Sequence, residues 1–159
     1  MEPIILASSS QRRQEIFRQL GIPYMVVMPE IKEDYPTDMS LDKVPEYLAS
    51  KKIEAAMKIL PQGQNVPWIF AADTLIIKDG KIYGKPESKD QAVEFLKELQ
   101  NGTHTVITAI ALFNGKINYL STRTSTNKVT FAPMSDKEIE WYIETGEWHG
   151  VAGAYRIQG

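Results

Sequence analysis

Apolar positions along the chain recur with two different periods, and each change of period marks an element. Residues 3–7 form a short apolar run that reads as a buried strand. A helix follows with Ile16, Phe17 and Leu20 on its apolar side and Gly21 at its end, and Ser10 is its natural N-cap. Residues 24–28 are a second strand candidate. From about 41 to 60 the spacing is helical, with Leu41, Val44, Leu48, Ala55 and Ile59 on one stripe and Pro45 near the start, where proline is tolerated. After a polar loop at 61–67, residues 68–77 are apolar except for Asp73 and Thr74. The Lys78-Asp79-Gly80 turn then leads into a return strand at 81–85. Ser88 and Gln91 predict a capping box for a helix through Leu99, with Ala92, Leu96 and Leu99 inward and Asn101-Gly102 closing it. Residues 103–113, Asn114-Gly115 and 116–124 predict a hairpin with a two-residue turn, and 129–132 a further strand. Ser135 and Glu138 cap a last helix carrying Ile139, Tyr142 and Ile143, ended by Gly146. The tail from 150 to 159 is rich in glycine but apolar enough to be a loop packed against the body. Strand–helix units among hairpins predict an α/β fold with a mixed sheet.

Composition narrows the class. The 159 residues suit one domain with a real core. A net charge of -2 speaks against a dedicated nucleic-acid binder, which is usually basic. With no cysteine there is no disulfide or thiolate metal site, and two histidines leave little for a His-rich zinc site. No run approaches membrane-spanning length and no basic-flanked apolar leader stands at the N-terminus, so the expectation is a cytoplasmic protein without a membrane partner.

Four places carry chemistry. Asp73 sits alone in an apolar run, where an unpaired charge costs several kcal/mol, so a metal ion or a lysine is expected beside it. The return strand offers Lys85, and a purely structural Asp73–Lys85 ion pair is the competing reading. Ser8, Ser9 and Ser10 lead into a helix whose first turn holds Arg12 and Arg13, the wrong sign for the helix dipole. Free N–H groups with two arginines make an anion site of the phosphate-binding kind, the alternative being a solvated arginine pair. The acidic loop at 29–34 offers Glu33 to a hard cation, although such loops are more often simply solvated. Lys52 falls in the middle of the apolar stripe and must reach a carboxylate, an anion or, by snorkelling, solvent; Lys51 is the surface residue of the pair. His104 reads as a strand-end histidine satisfied locally, and Arg123 with the Ser/Thr residues of 121–126 is left undecided. Cations with carboxylates able to hold Mg2+ is what phosphoryl transfer needs. No G-x-x-x-x-G-K-[ST] is present, so this is not a P-loop NTPase.

The blocks LASSSQRRQEIFRQLG, AADTLIIKDGKIYGKP with the following ELQNGTHTVITAIAL, and AGAYRIQG resemble, in order and over nearly the whole chain, the Maf family of nucleoside triphosphate pyrophosphatases. The resemblance implies an elongated mixed β-sheet flanked by helices, with two lobes and a cleft between them, of the Maf/ITPase kind. It implies cleavage of a nucleoside triphosphate to the monophosphate and pyrophosphate with a divalent cation (Mg2+ or Mn2+). A house-cleaning role and a link to septum formation come with it. By the family's motifs, Ser8, Ser10, Arg12, Arg13 and Lys52 bind substrate. Asp73, Lys85 and Glu33 are catalytic, with Glu33 and Asp73 on the metal. Arg12, Thr74 and Gln158 bear on the base, and together with His104 they resemble the branch acting on dTTP and UTP, with CTP or modified pyrimidine nucleotides as further options. Gln11 stands where the family usually has proline. Family members generally continue past Gln158-Gly159 for another strand and helix, so the expectation is a single domain over 1–159 lacking them. A homodimer stays open. Two rivals remain, a non-catalytic nucleotide-binding regulatory module and an ITP/XTP-type pyrophosphatase.

Overall fold

The computed structural model describes residues 2–61 and 68–158, so the polar loop expected at 61–67 lies outside the described residues from 62 onward. Six strands form one mixed sheet in the order β2-β1-β3-β5-β6, with β4 paired to β3. They are β1 (Ile4–Leu6), β2 (Tyr24–Val26), β3 (Trp68–Lys78), β4 (Lys81–Tyr83), β5 (Gly102–Asn114) and β6 (Tyr119–Phe131). Four helices accompany them: α1 (Gln11–Gln19), α2 (Val44–Ile59), α3 (Lys89–Leu99) and α4 (Asp136–Glu144). β1 runs parallel to both β2 and β3, whereas β3 and β4 are antiparallel, which gives the predicted mixed character. Among the described residues no helix is long and apolar enough to cross a membrane.

The chain divides into two compact units, 1–73 with 108–125 and 74–107 with 126–159. In the first, Ile5 and Ala7 of the β1 segment, Ile69 and Ala71 of β3, and Ala111 and Phe113 of β5 pack with Ala49, Ile53 and Ala56 of α2. In the second, Ile76 and Tyr83 pack against Ala92, Phe95, Leu96 and Leu99 of α3, Ile139 and Ile143 of α4, Trp148 and Ala154. Each large side chain buried in this way contributes about 1.5–3 kcal/mol.

Local chemistry explains most boundaries. Asp79 and Gly80 both have positive φ, 51° and 75°, as a two-residue type I′ turn requires, and they set the register Lys78↔Lys81. The Ser135–Glu138 capping box is complete on α4. On α3 Ser88 accepts from the Gln91 N–H, but the Gln91 side chain accepts from the Glu87 N–H, so only half of the predicted box forms. Leu41–Lys43 is a 3-10 turn preceding α2.

Several expectations are corrected. The β5–β6 connection is a turn over residues 115–118, not a two-residue loop, and Asn118 takes the positive φ. The strand predicted at 129–132 is the continuation of β6, because β5 is long enough to pair along its whole length, with Thr103 hydrogen-bonded to Thr130 at 2.7 Å. The buried face of α2 is Val44, Pro45, Leu48, Ala49, Ile53 and Ala56, and Ile59 is exposed. The predicted stripe keeps the helical period, but the face that is buried passes round the helix from Val44 and Leu48 to Ala49, Ile53 and Ala56, following what α2 packs against. β4 stops at Tyr83, where its ladder with β3 ends, so Lys85 lies beyond the pairing.

The tail packs as expected as far as Tyr155, whereas Arg156, Ile157 and Gln158 are exposed. Gly153 lies in a 3-10 turn, Ala152–Ala154, at φ 72°, and its N–H donates to the Gly84 carbonyl at 3.0 Å. A Cβ added there would stand 2.5 Å from Ile76 Cδ1 and 3.3 Å from the Tyr155 ring. Gly153→Ala should therefore cost about 1–3 kcal/mol in denaturant unfolding. Gly150→Ala, at φ 67° with open space around it, isolates the backbone part and should cost less.

Candidate active site

The parallel pairing of β1 with β3, Ile5↔Ile69 and Leu6↔Phe70, brings the chain leaving β1 alongside β3 just before Asp73. The Ala7 N–H extends this ladder to the Phe70 carbonyl at 2.8 Å. Ser8 follows, buried, and α1 begins at Gln11 with Ser10 as its N-cap. The Ser10 hydroxyl accepts from the Arg13 N–H at 3.4 Å, and the Ser8 hydroxyl accepts from the Ser10 N–H at 3.2 Å and from Arg13 Nη1 at 3.0 Å. No acidic residue stands in the first turn of α1. Arg13 is thus folded back over the helix start, and burial lowers its pKa while the Asp73 charge opposes that shift. Arg12 points the other way, pairing with Glu15 at 3.4 Å, with its Nε buried and without a partner.

Asp73 is 8% exposed, and its ion pair is with Lys52, not with Lys85 as the competing reading had it. Burial of Val44, Leu48, Ala49, Ile53 and Ala56 fixes how α2 lies, and Lys52, at the margin of that face, is turned inward with a side chain only 14% exposed. Its Nζ donates to Asp73 Oδ1 at 2.6 Å and to the Ala72 carbonyl at 3.4 Å, and lies 4.0 Å from Glu33 Oε1. Glu33 comes from the irregular loop between β2 and α2 and stays exposed. Lys51 is the surface lysine expected, paired with Glu54 at 3.0 Å. Burial raises the Asp73 pKa and Lys52 pulls it back. The nearby Glu33 charge raises it further, Arg13 lowers it, and the balance remains a raised value. The protein's own cations therefore do not fully offset the burial of this carboxylate.

Ser8, Ser10, Arg13, Glu33, Lys52 and Asp73 all belong to the first unit, and Arg12 with them. Thr74, Lys85 and Gln158 belong to the second. There Thr74 is half-buried on β3, Lys85 is exposed after β4, and Gln158 is exposed near the end of the tail. His104 is 2% exposed and shares a 2.6 Å hydrogen bond with the hydroxyl of Tyr155, a distant partner in the tail and not the local one its strand-end position suggests. The undecided 121–126 stretch lies on β6, at the edge of the sheet, where Thr122 donates to Glu46 at 2.8 Å and Arg123 is exposed. Sequence reasoning missed the Ala72 carbonyl as an anchor for Lys52, since a backbone acceptor leaves no residue-type signal.

The model of the family described as "Maf-like protein" matches residues 3–159. The chain belongs to the Maf-like family. Among curated relatives of this Maf-like chain, a "dTTP/UTP pyrophosphatase" of Symbiobacterium thermophilum is 40% identical over 159 residues, covering 100% of this chain and 79% of that protein. Proteins with the same description from Bacteroides thetaiotaomicron and Hydrogenovibrio crunogenus are 36% and 40% identical, each over 98% of this chain and 78% and 79% of their own lengths. Among solved structures, the Staphylococcus aureus Ham1 protein superposes with a TM-score of 0.56 over 85% of this chain and 73% of its own. At 19% identity that likeness shows that the Maf-like chain shares the fold, and nothing about its substrate.

The raised Asp73 pKa has a definite consequence for stability. A carboxyl whose folded pKa lies above its unfolded one binds more protons when folded, so its ionisation opposes folding as pH rises above the usual 3.8. In metal-free protein, Asp73→Asn should leave the melting temperature at neutral pH unchanged or higher. The difference from wild type should grow in the variant's favour as pH rises above 3.8 and level off once the folded carboxyl has ionised. A structural Lys52–Asp73 pair predicts instead a loss of ~3–5 kcal/mol on removing one partner.

Proposed function

We propose that the chain hydrolyses pyrimidine nucleoside triphosphates, dTTP and UTP, to the monophosphate and pyrophosphate. The reading is supported by family membership, by the description its relatives carry, and above all by one observation. A buried carboxylate, Asp73, is held by Lys52 at 2.6 Å on a strand beside an anion-binding helix start. A regulatory module that only binds nucleotide would not need both carboxylates, Glu33 and Asp73, with a lysine between them.

In this reading the triphosphate lies against the N–H groups and hydroxyls of Ser8 and Ser10, with Arg12, Arg13, Lys52 and Lys85 neutralising its charge. Asp73 accepts a proton from the water whose oxygen attacks the α-phosphorus. The bond from that phosphorus to the bridging oxygen breaks, and the electron pair leaves with pyrophosphate. Burial suits Asp73 to this work, since a pKa raised toward the working pH makes a carboxylate a better base. Glu33 and Asp73, two carboxylates around one lysine, suit a hard cation such as Mg2+ or Mn2+ that takes its remaining ligands from water and phosphate. When bound, it would neutralise phosphate charge as a Lewis acid. Thr74 and Gln158, with Arg12, are assigned to the base.

Asp73→Asn should lower kcat for pyrophosphate release from dTTP by roughly 10²–10⁴ with the fold intact. Full turnover by that variant would remove Asp73 from the chemistry. Arg13→Ala should reduce kcat/KM at least tenfold, about 1.5–3 kcal/mol for a charge-assisted contact. Wild-type kcat/KM would make the arginine a surface charge. Faster turnover of ITP than of dTTP would favour the purine-type rival.

A further inference from the structure

His104 is the most deeply buried titratable side chain of the second unit, and its Nδ1 has no hydrogen-bond partner. An unsatisfied polar atom is costly to bury, so a phenylalanine there would pack at less expense. What the imidazole supplies beyond packing is Nε2, 2.6 Å from the Tyr155 hydroxyl. Burial and the nearby Lys78 charge lower the His104 pKa, and burial pushes Tyr155 up to about 12, so both stay neutral and the contact persists across the physiological range. The Tyr155 ring is further fixed edge-on by Phe131 at 4.7 Å and by the imidazole itself at 5.5 Å. The next residue is tied as well, the Arg156 N–H donating to the Tyr142 hydroxyl at 2.9 Å.

The pinned ring bears on the segment that carries Lys85. It crowds Gly153 together with Ile76 of β3: a Cβ there would be 3.3 Å from Tyr155 Cε1 and 2.5 Å from Ile76 Cδ1. Gly153 is thereby held at φ 72°, with its N–H directed at the Gly84 carbonyl, 3.0 Å away. Gly84 immediately precedes Lys85, outside the β3–β4 ladder, which stops at Tyr83. The backbone that carries Lys85 thus has this bond in place of a strand partner.

We propose that His104 is a positioning residue for Lys85, acting through the Tyr155 hydroxyl, the Gly153 turn and the Gly84 carbonyl. This rests on the assignment of Lys85 to the triphosphate. A lysine meant to meet charge on departing pyrophosphate must be held in register with it, and small misplacements of such groups cost turnover more than binding.

The test is a cycle of variants assayed for pyrophosphate release from dTTP with Mg2+. Tyr155→Phe keeps the ring and removes the hydroxyl; His104→Phe keeps the aromatic packing and removes Nε2. Each should lower kcat about tenfold with KM within about twofold, while melting shifts by only a few degrees. In a Lys85→Ala background neither should lower kcat further. Amide exchange at Gly153 should be faster in both variants than in wild type. Unchanged kcat, losses that multiply with that of Lys85→Ala, or unchanged protection at Gly153 would each overturn the positioning role and leave the proposed function standing. Wild-type kcat in Lys85→Ala alone would instead withdraw Lys85 from the proposed function, and the role of His104 with it.

Discussion

The site depends on placing one carboxylate inside an apolar strand. Ala71, Ala72 and Asp73 are consecutive buried residues of β3. Burial disfavours its charge by more than Lys52 and Arg13 restore, and the second carboxylate, Glu33, works in the same unfavourable direction. A pair built for stability would show the opposite balance. A carboxylate whose burial is not fully offset gives a cation or a proton something to bind.

Holding the opposing charges in place falls to ordinary packing. α2 is fixed by Val44, Leu48, Ala49, Ile53 and Ala56, and Lys52 reaches inward because the helix cannot rotate without exposing them. α1 is anchored by Phe17, which meets Tyr24 and Phe70 edge-on at 5.6 and 5.2 Å, so its N-terminus is set relative to β1 and β3 together. The Ser8–Arg13 contact then folds the guanidinium over the helix start. Polar geometry here is a by-product of apolar contacts on the other side of each element, which gives rigidity without an extended polar network.

In the second unit the same logic is applied to backbone. α3 and α4 build a core against Ile76 and Tyr83, and the tail closes over it with Trp148 and Ala154 buried. Tyr83 gives its hydroxyl to Glu98, which Lys81 also holds at 2.8 Å, so the short return strand is clamped to α3 by side chains where its ladder is brief. A glycine at positive φ is what lets the tail come close enough for Gly153 to meet Gly84.

Periodicity, caps and turns were legible in the residues: the Ser10, Ser88 and Ser135 caps, the Asp79-Gly80 turn and the buried strand at 68–78 all follow from rules spanning a few positions. The candidate residues of the site stood out as well, because a lone acid in an apolar run and arginines at a helix start violate local rules wherever they occur. What local rules cannot carry is which distant residues meet. Lys85 was the expected lysine partner of Asp73, and packing of α2 on β3 gave it Lys52 instead. The drift of the α2 face, the merging of 129–132 into β6 and the pairing of His104 with Tyr155 were decided in the same way, by the length of a neighbouring strand or the side a helix buries. The residues set which groups are costly to leave alone, and only the tertiary structure, by choosing which apolar surfaces are buried together, decided which partner each of them found.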